Sequence, residues 1–187
     1  MPKCHAPRIR KGHATSPRSS SGALGVMTVN IIYLADQIHH VEELARLHQA
    51  EWGHFSPNID VDARAIRLSE GSGKSEIPMI FIAVEGPALV GSAALVKHDM
   101  KERPELSPWL AGVYVKPERR RNGIASELVS RVEKEAIALR VETLYLFTEH
   151  QEQFYSRRGW NMIEHVDHFG TPASVMRKQL SAGYGNV

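Results

Sequence analysis

The apolar positions of this chain switch between two periods, and the switches mark out a series of elements. Residues 28–34 (TVNIIYL) are β-branched and aromatic and predict a strand. Residues 36–51 set Ile38, Val41, Leu44, Ala45, Leu47 and His48 at helical spacing, and a second helix is predicted at 59–69 through Ile59, Ala63, Ile66 and Arg67. Strands at 79–85 and 88–97, joined at Gly86-Pro87, form a hairpin. A polar loop at 98–108 leads to a strand at 109–115 (WLAGVYV). Its interior glycine, Gly112, marks a bulge or a close approach of another backbone or a ligand. Residues 122–140 carry Ile124, Ala125, Leu128, Val129, Val132, Ala136 and Leu139 on one side of a helix. A strand at 143–148, a short helix at 151–158 that Gly159 can cap, and strands near 160–166 and 173–180 complete the pattern. Strands first, then strand-helix-strand, give a mixed α/β sheet, and no internal repeat is visible.

Composition narrows the function classes. The 187 residues fit one domain large enough to bury a core without disulfide or metal. No apolar run approaches the roughly 18 residues of a membrane span. Cys4 is the only cysteine, which excludes an intrachain disulfide and a cysteine zinc site. His39-His40 lacks matched ligand partners and reads as helix surface, so no metal is expected. The 23 Lys+Arg and 21 Asp+Glu nearly balance, and nucleic acid is not an expected partner.

The charge is uneven. Residues 1–27 hold Lys3, Arg8, Arg10, Lys11 and Arg18, no acid, many Ser and Pro, and almost no large apolar side chain. Such a segment cannot repay its ordering entropy, so 1–27 is expected to be a disordered tail, with Met27 a candidate true initiator. A transit peptide and a basic arm for anionic surfaces remain as alternatives. The folded domain is expected at 28–182, with 183–187 a second disordered end.

The candidate chemistry lies between residues 115 and 124. Arg119-Arg120-Arg121-Asn122-Gly123 opens an amphipathic helix, although three cations at the positive end of a helix dipole each cost a few tenths of a kcal/mol. A bound anion would reverse that sign, with the free backbone N–H groups and Gly123 admitting a phosphate. A merely solvated basic turn is the competing reading. Gly71-Ser72-Gly73-Lys74-Ser75 mimics a phosphate-binding loop but has Leu68 where the pattern needs glycine.

Here the sequence resembles the GNAT superfamily of acyl-CoA-dependent N-acetyltransferases. Arg120-Arg121-Asn122-Gly123-Ile124-Ala125 matches the family's R/Q-x-x-G-x-G/A motif. Val113-Tyr114-Val115-Lys116-Pro117 precedes it like the family's fourth strand, and Phe154-Tyr155-Ser156-Arg157-Arg158-Gly159-Trp160 follows like its F-Y-x-x-x-G-F/W signature. The resemblance covers residues 28–180. It implies a mixed, mostly antiparallel sheet splayed between strands four and five, with helices on both faces and acetyl-CoA in the opened V. Backbone groups around Val113, Tyr114 and Val115 would pair with the pantetheine. The N–H groups of Arg121 through Ala125 (Asn122, Gly123 and Ile124 between them) would wrap the pyrophosphate, with Arg120 and Arg121 supplying charge. Thr148 stands where the family commonly has asparagine, so one cofactor contact departs from the pattern.

The expected reaction is transfer of acetyl from acetyl-CoA to a primary amine by direct attack in a ternary complex, because the only cysteine, Cys4, lies in the expected tail and is no plausible acyl-enzyme thiol. A strand-four N–H near Val113 would polarise the thioester carbonyl. Tyr155 stands where tyrosine-using relatives place the acid that protonates the leaving thiolate; packing against the cofactor is its alternative. No carboxylate occupies 109–115, so His98, Asp99 and Glu149 are the candidate bases, directly or through water. A missing dedicated base leans toward an α-amino acceptor, pKa about 8, over a lysine-like amine near 10.4. Trp52, His54, Phe55 and Trp109 are the candidate acceptor contacts, with core packing an equal explanation for Trp52 and Phe55. Glu42, Glu43 and Glu51 are expected to face solvent. The acceptor is thus a small-molecule or peptide amine, the location cytoplasmic, no membrane partner is expected, and homodimerisation is left open. A non-catalytic acyl-CoA sensor and a toxin that acetylates aminoacyl-tRNA are the alternative functions.

Overall fold

The computed structural model describes residues 28–180. The expected tail at 1–27, with Cys4 and Met27, and the expected end at 183–187 lie outside the described residues. Within them the elements are β1 (Val29–Tyr33), α1 (Val41–Trp52), α2 (Val61–Glu70), β2 (Met79–Glu85), β3 (Ala88–Val96), β4 (Trp109–Val115), α3 (Ile124–Ala138), β5 (Thr143–Thr148), α4 (Glu152–Ser156), β6 (Asn161–His168) and β7 (Thr171–Gln179). The seven strands form one sheet in the order β1-β2-β3-β4-β5-β7-β6, antiparallel throughout except for the β4–β5 pair.

The continuous apolar run of β2 is a strand buried on both faces. Met79, Phe81 and Ala83 enter the main core with Leu128, Val129 and Val132 of α3, while Ile80, Ile82 and Val84 join Leu34, Val41 and Leu44 under α1. Successive side chains of a strand point to opposite faces, so this alternation puts α3 and α1 on opposite sides of the sheet. Tyr155 and Trp160 belong to the α3 side. A third cluster, Met100, Trp109 and Val175 with Tyr145 and Phe147 packed against it, lies on the α1 side beneath the 98–108 loop. Arg103 fastens that loop to β6 by two hydrogen bonds of 2.6 Å to Glu164. Among the described residues no helix is long and apolar enough to cross a membrane.

The structure moves several predicted boundaries. The helix expected from residue 36 begins at Val41, preceded by separate 3-10 turns at Leu34–Asp36 and Ile38–His40, because Gln37 at φ −140° leaves the helical region. His40 is 5% exposed and lies 3.7 Å from Glu43, not on the helix surface as its pattern suggests. Helix α2 starts at Val61, where the Asp60 carboxylate accepts a 2.8 Å hydrogen bond from the Ala63 N–H. Helix α3 starts at Ile124 rather than 122, because Arg121 and Gly123 have positive φ, 66° and 80°. Lys74 of the phosphate-loop mimic pairs with Asp36.

These contacts set the expected scale of stability changes. Leu128 is fully buried between α3 and the sheet, and Leu128→Ala should cost about 2–5 kcal/mol in chemical denaturation. Asp60→Ala should cost about 1 kcal/mol through loss of the cap alone. Similar losses from the two substitutions would contradict this placement of the core.

Candidate active site

The site begins with a miscount between two strands. Ser92 pairs with Tyr114 and Ala94 with Ala111, so Ala93 of β3 faces two residues of β4, Gly112 and Val113. This is a β-bulge, and Gly112 supplies its positive φ of 57°. The extra residue resets the alternation. Leu110, Val113 and Val115 all face the α3 side, while Tyr114 turns to His48 and Trp52 of α1. Gly91 on β3 lets the strands meet here, since a Cβ there would lie 2.7 Å from the Tyr114 carbonyl oxygen.

Past the bulge β4 has no strand partner on its β5 side. The two strands share one residue pair, Trp109 with Tyr145, reinforced by a 3.0 Å bond from the Tyr145 N–H to the Pro108 carbonyl. Toward their C-terminal ends they part around a cleft of about 540 Å³. Val113, Tyr114 and Val115 line one wall, Gly123, Ile124 and Ala125 the end, and Gln151, Phe154 and Tyr155 the other wall. A second hollow, about 340 Å³ beside Ile31, Arg131 and Lys134, lies along α3 and holds none of the β4 residues.

The basic turn resolves into paired and unpaired cations. Lys116 Nζ donates to Glu43 at 2.7 Å, Arg119 to Glu85 at 2.6 Å, and the Arg120 guanidinium reaches Glu51 at 3.4 Å. Arg120 Nε also donates to the Val115 carbonyl at 2.9 Å. Glu43 and Glu51 therefore hold the β4–α3 turn and do not simply face solvent, whereas Glu42 pairs with Arg46 on the exposed helix face. Among the described residues Arg121 has no carboxylate within ion-pair reach. Its positive φ is strained for an arginine, a cost that marks functional turns. Beside it, a Cβ built on Gly123 would meet nothing within 4 Å. Unbonded N–H groups of the first turn of α3, an unpaired arginine and an open cradle form a concavity suited to a phosphate. The residues present fit the pyrophosphate of CoA.

Across the cleft, Tyr155 is 7% exposed, and burial raises its phenol well above the ordinary value. Thr148 is buried, and its hydroxyl accepts the Gln151 N–H at 3.1 Å, starting the turn into α4. Arg158 stacks 4.0 Å from the Phe154 ring and bonds Ser126 on the first turn of α3, tying the α4 wall to the α3 end of the cleft. Glu149 follows β5 directly, two residues before the cleft residue Gln151. Asp99 and His98 are exposed beyond the end of β3 and away from the cleft lining. Protein packed around the Asp99 carboxyl raises it to about 6, although the residue as a whole is exposed.

The predicted acceptor contacts separate. Trp109 is fully buried, with its indole N–H bonded to the Leu106 carbonyl at 2.7 Å, so it is a core residue and offers no acceptor surface. Trp52 is half-buried against His48, at 4.9 Å between rings, and Tyr114. His54 is exposed and Phe55 buried, and the Phe55 ring lies 5.3 Å from that of His168 at the β6–β7 turn.

Sequence reading missed one buried polar chain. His48 Nε2 lies 2.9 Å from Ser92 Oγ, which donates to the Gly112 carbonyl at 2.9 Å. Burial, and then the Arg64 charge, lower His48 to a pKa of about 3, so its ring is neutral at physiological pH. The available signals were Ser92 inside the apolar run ALVGSAALV and His48 on the apolar stripe of α1. Glu51, Arg119, Ser126, Gln151 and Phe154 were missed as cleft residues because their relevance depends on tertiary placement.

Known proteins place this geometry. The acetyltransferase (GNAT) family profile matches residues 41–160. An aminoglycoside 6'-N-acetyltransferase crystallised with coenzyme A superposes with a TM-score of 0.66 at 19% identity, covering 83% of this chain and 98% of the other. Ard1 from Thermoplasma volcanium gives 0.63 at 14% identity, covering 82% and 98%. A GNAT-family acetyltransferase from Staphylococcus aureus Mu50 gives 0.60 at 18% identity, covering 82% and 100%. None of the curated proteins matches the sequence. At these identities the superpositions show the fold, and the family match spans the bulged strand, the arginine turn and the tyrosine wall: the chain belongs to the GNAT family of acetyltransferases, which use acetyl-CoA.

Proposed function

We propose that the protein transfers an acetyl group from acetyl-CoA to a primary amine of a small molecule or a peptide N-terminus by direct attack in a ternary complex. The observation that carries this reading is the open β4–β5 cleft, which runs from the bulge at Gly112 to the N-terminus of α3. Unpaired strand groups on one wall can accept an extended pantetheine as an added strand. The turn at Arg121 and Gly123 can take the phosphates.

In the reaction a C–N bond forms as the C–S bond breaks. The thioester oxygen gains negative charge, which a backbone N–H at Val113, a residue lining the cleft, would meet. The amine loses a proton, for which Glu149, next to the cleft, is better situated than Asp99 or His98. The departing thiolate gains a partner in Tyr155. A phenol raised well above a thiol's pKa, about 8.5, stays protonated and acts chiefly as a hydrogen-bond donor. Glu43, Glu51 and Glu85 are engaged by Lys116, Arg120 and Arg119, so these three carboxylates are not free for a polycationic acceptor. This supports an acceptor with a single, weakly basic amine over an aminoglycoside, the substrate that names two of the structural neighbours.

Three outcomes test the reading. At about 100 times its dissociation constant, acetyl-CoA should stabilise the protein by about 2.7 kcal/mol, or roughly 5–10 °C in melting temperature. Arg121→Ala should weaken CoA binding about tenfold or more in calorimetry by removing a charge-assisted bond. Unchanged affinity would remove Arg121 from the site. In a screen of amines and peptides that follows CoA release, Tyr155→Phe should lower kcat by about 10- to 150-fold, the worth of a hydrogen bond to a charged group. CoA affinity should hold, because the ring remains. Equal kcat values would leave Tyr155 as a packing residue.

A further inference from the structure

We propose that His48 and Ser92 are positioning residues: through the Gly112 carbonyl they fix the plane of the Gly112–Val113 peptide, so that the Val113 N–H is aimed at the acyl carbonyl. The proposal deepens the transfer reading above and rests on it for its link to turnover.

A serine hydroxyl carries one proton, and Ser92 donates it to the Gly112 carbonyl at 2.9 Å. Its contact with His48 at 2.9 Å can then be a hydrogen bond only if His48 Nε2 carries the proton and Ser92 accepts it. The chain fixes the tautomer: Nε2–H, with Nδ1 unprotonated. Ser92 is fully buried and His48 8% exposed, so neither group has water as a ready substitute partner. The neutral state of the ring follows from its burial, as described above.

Peptide geometry carries the effect across the strand. The cis bonds of the described chain precede Pro78 and Pro108, so the Gly112–Val113 peptide is trans. In a trans peptide the C=O and N–H lie in one plane and point in opposite directions. Holding the Gly112 oxygen at Ser92 therefore turns the Val113 N–H away from β3, and Val113 lines the cleft. At a bulge the ladder no longer enforces this orientation, because two residues oppose one. A glycine at the pivot resists rotation least of all residues, so an external clamp is required. The His48 ring also closes the space beside the pivot: its Cε1 lies 3.5 Å from where a Gly112 side chain would begin. Such a clamp matters because an oxyanion donor works by being in place before charge develops.

The experiment compares Ser92→Ala, His48→Leu and His48→Gln with the wild type, using three readouts. The first is the ¹⁵N spectrum of the imidazoles in the ligand-free protein. Wild-type His48 should show the Nε2–H tautomer, and Ser92→Ala should lose that strict preference; a wild-type Nδ1–H tautomer would overturn the proposal. The second is the carbonyl stretch of bound acetyl-CoA labelled with ¹³C at the acetyl carbonyl, which reads the donor with no acceptor present. It should be lowered in the wild type and in His48→Gln, whose amide can still donate to Ser92. In Ser92→Ala and His48→Leu it should return toward the free value. The third is kinetic: those two variants should lose about 10- to 100-fold in kcat, less than the 10²- to 10³-fold of deleting an oxyanion donor, with acetyl-CoA affinity within about threefold. An unmoved stretch, or kcat losses that merely track affinity or melting temperature, would overturn the clamp. If one variant fails to fold, the others decide the same question. A wild type with no turnover on any amine would count against the transfer reading alone, because the stretch and the ring signals still decide the clamp.

Discussion

Strands β4 and β5 lie side by side in one sheet yet share only the pair Trp109–Tyr145, and the site depends on that constraint. Sheet edges are usually paired or covered, because unbonded backbone groups carry a free-energy cost. Here a single extra residue at Gly112–Val113 bends one strand away from the other. The fully buried Trp109 and the antiparallel β5–β7 ladder hold the bases of both strands in place. The result is a wedge in the middle of a sheet, with the unpaired edge of β4 as one wall and Gln151, Phe154 and Tyr155 as the other. A ligand that is extended, hydrogen-bonding and phosphorylated at one end suits such a wedge, and CoA has those features.

The electrostatics at the wide end follow a division of labour. Three glutamates from α1 and β2 neutralise Lys116, Arg119 and Arg120 and fasten the turn that leads into α3. These pairs are partly exposed, and each is worth little alone. Their effect is geometric: they hold a turn in which Arg121 and Gly123 adopt positive φ, leaving the Arg121 charge and the α3 N-terminus facing the cleft. The cost of placing arginines at the positive end of a helix dipole is thereby reduced for two of them, and it is reversed for the third if an anion binds.

Much of this was legible in the sequence, for reasons that differ by element. The strands were readable because β2 and β3 are nearly unbroken apolar runs, and Gly112 announced the bulge because little else explains a glycine within WLAGVYV. Helix α3 was readable from its stripe, but its start was two residues off, since positive φ at Arg121 leaves no mark in composition. The roles of Glu43 and Glu51 were misread, because a helix surface becomes an interface only when a distant turn folds onto it. Trp109 was misassigned to the acceptor surface because sequence cannot tell a strand's buried face from its exposed one beside a loop. The His48–Ser92 chain escaped for a similar reason: its members are 44 residues apart and look like one core histidine and one small polar residue.

The central claim is that the wedge between β4 and β5 is the CoA site. Backbone amide shifts of the isotopically labelled protein, followed during a titration with CoA, test it most directly. Large, saturable shifts are expected at Val113, Val115 and residues 121–125, smaller ones around Gln151–Tyr155, and almost none in β1 or β6. Saturable shifts confined to other surfaces, such as the hollow beside Ile31 and Lys134, with Val113 and Gly123 unmoved, would contradict it.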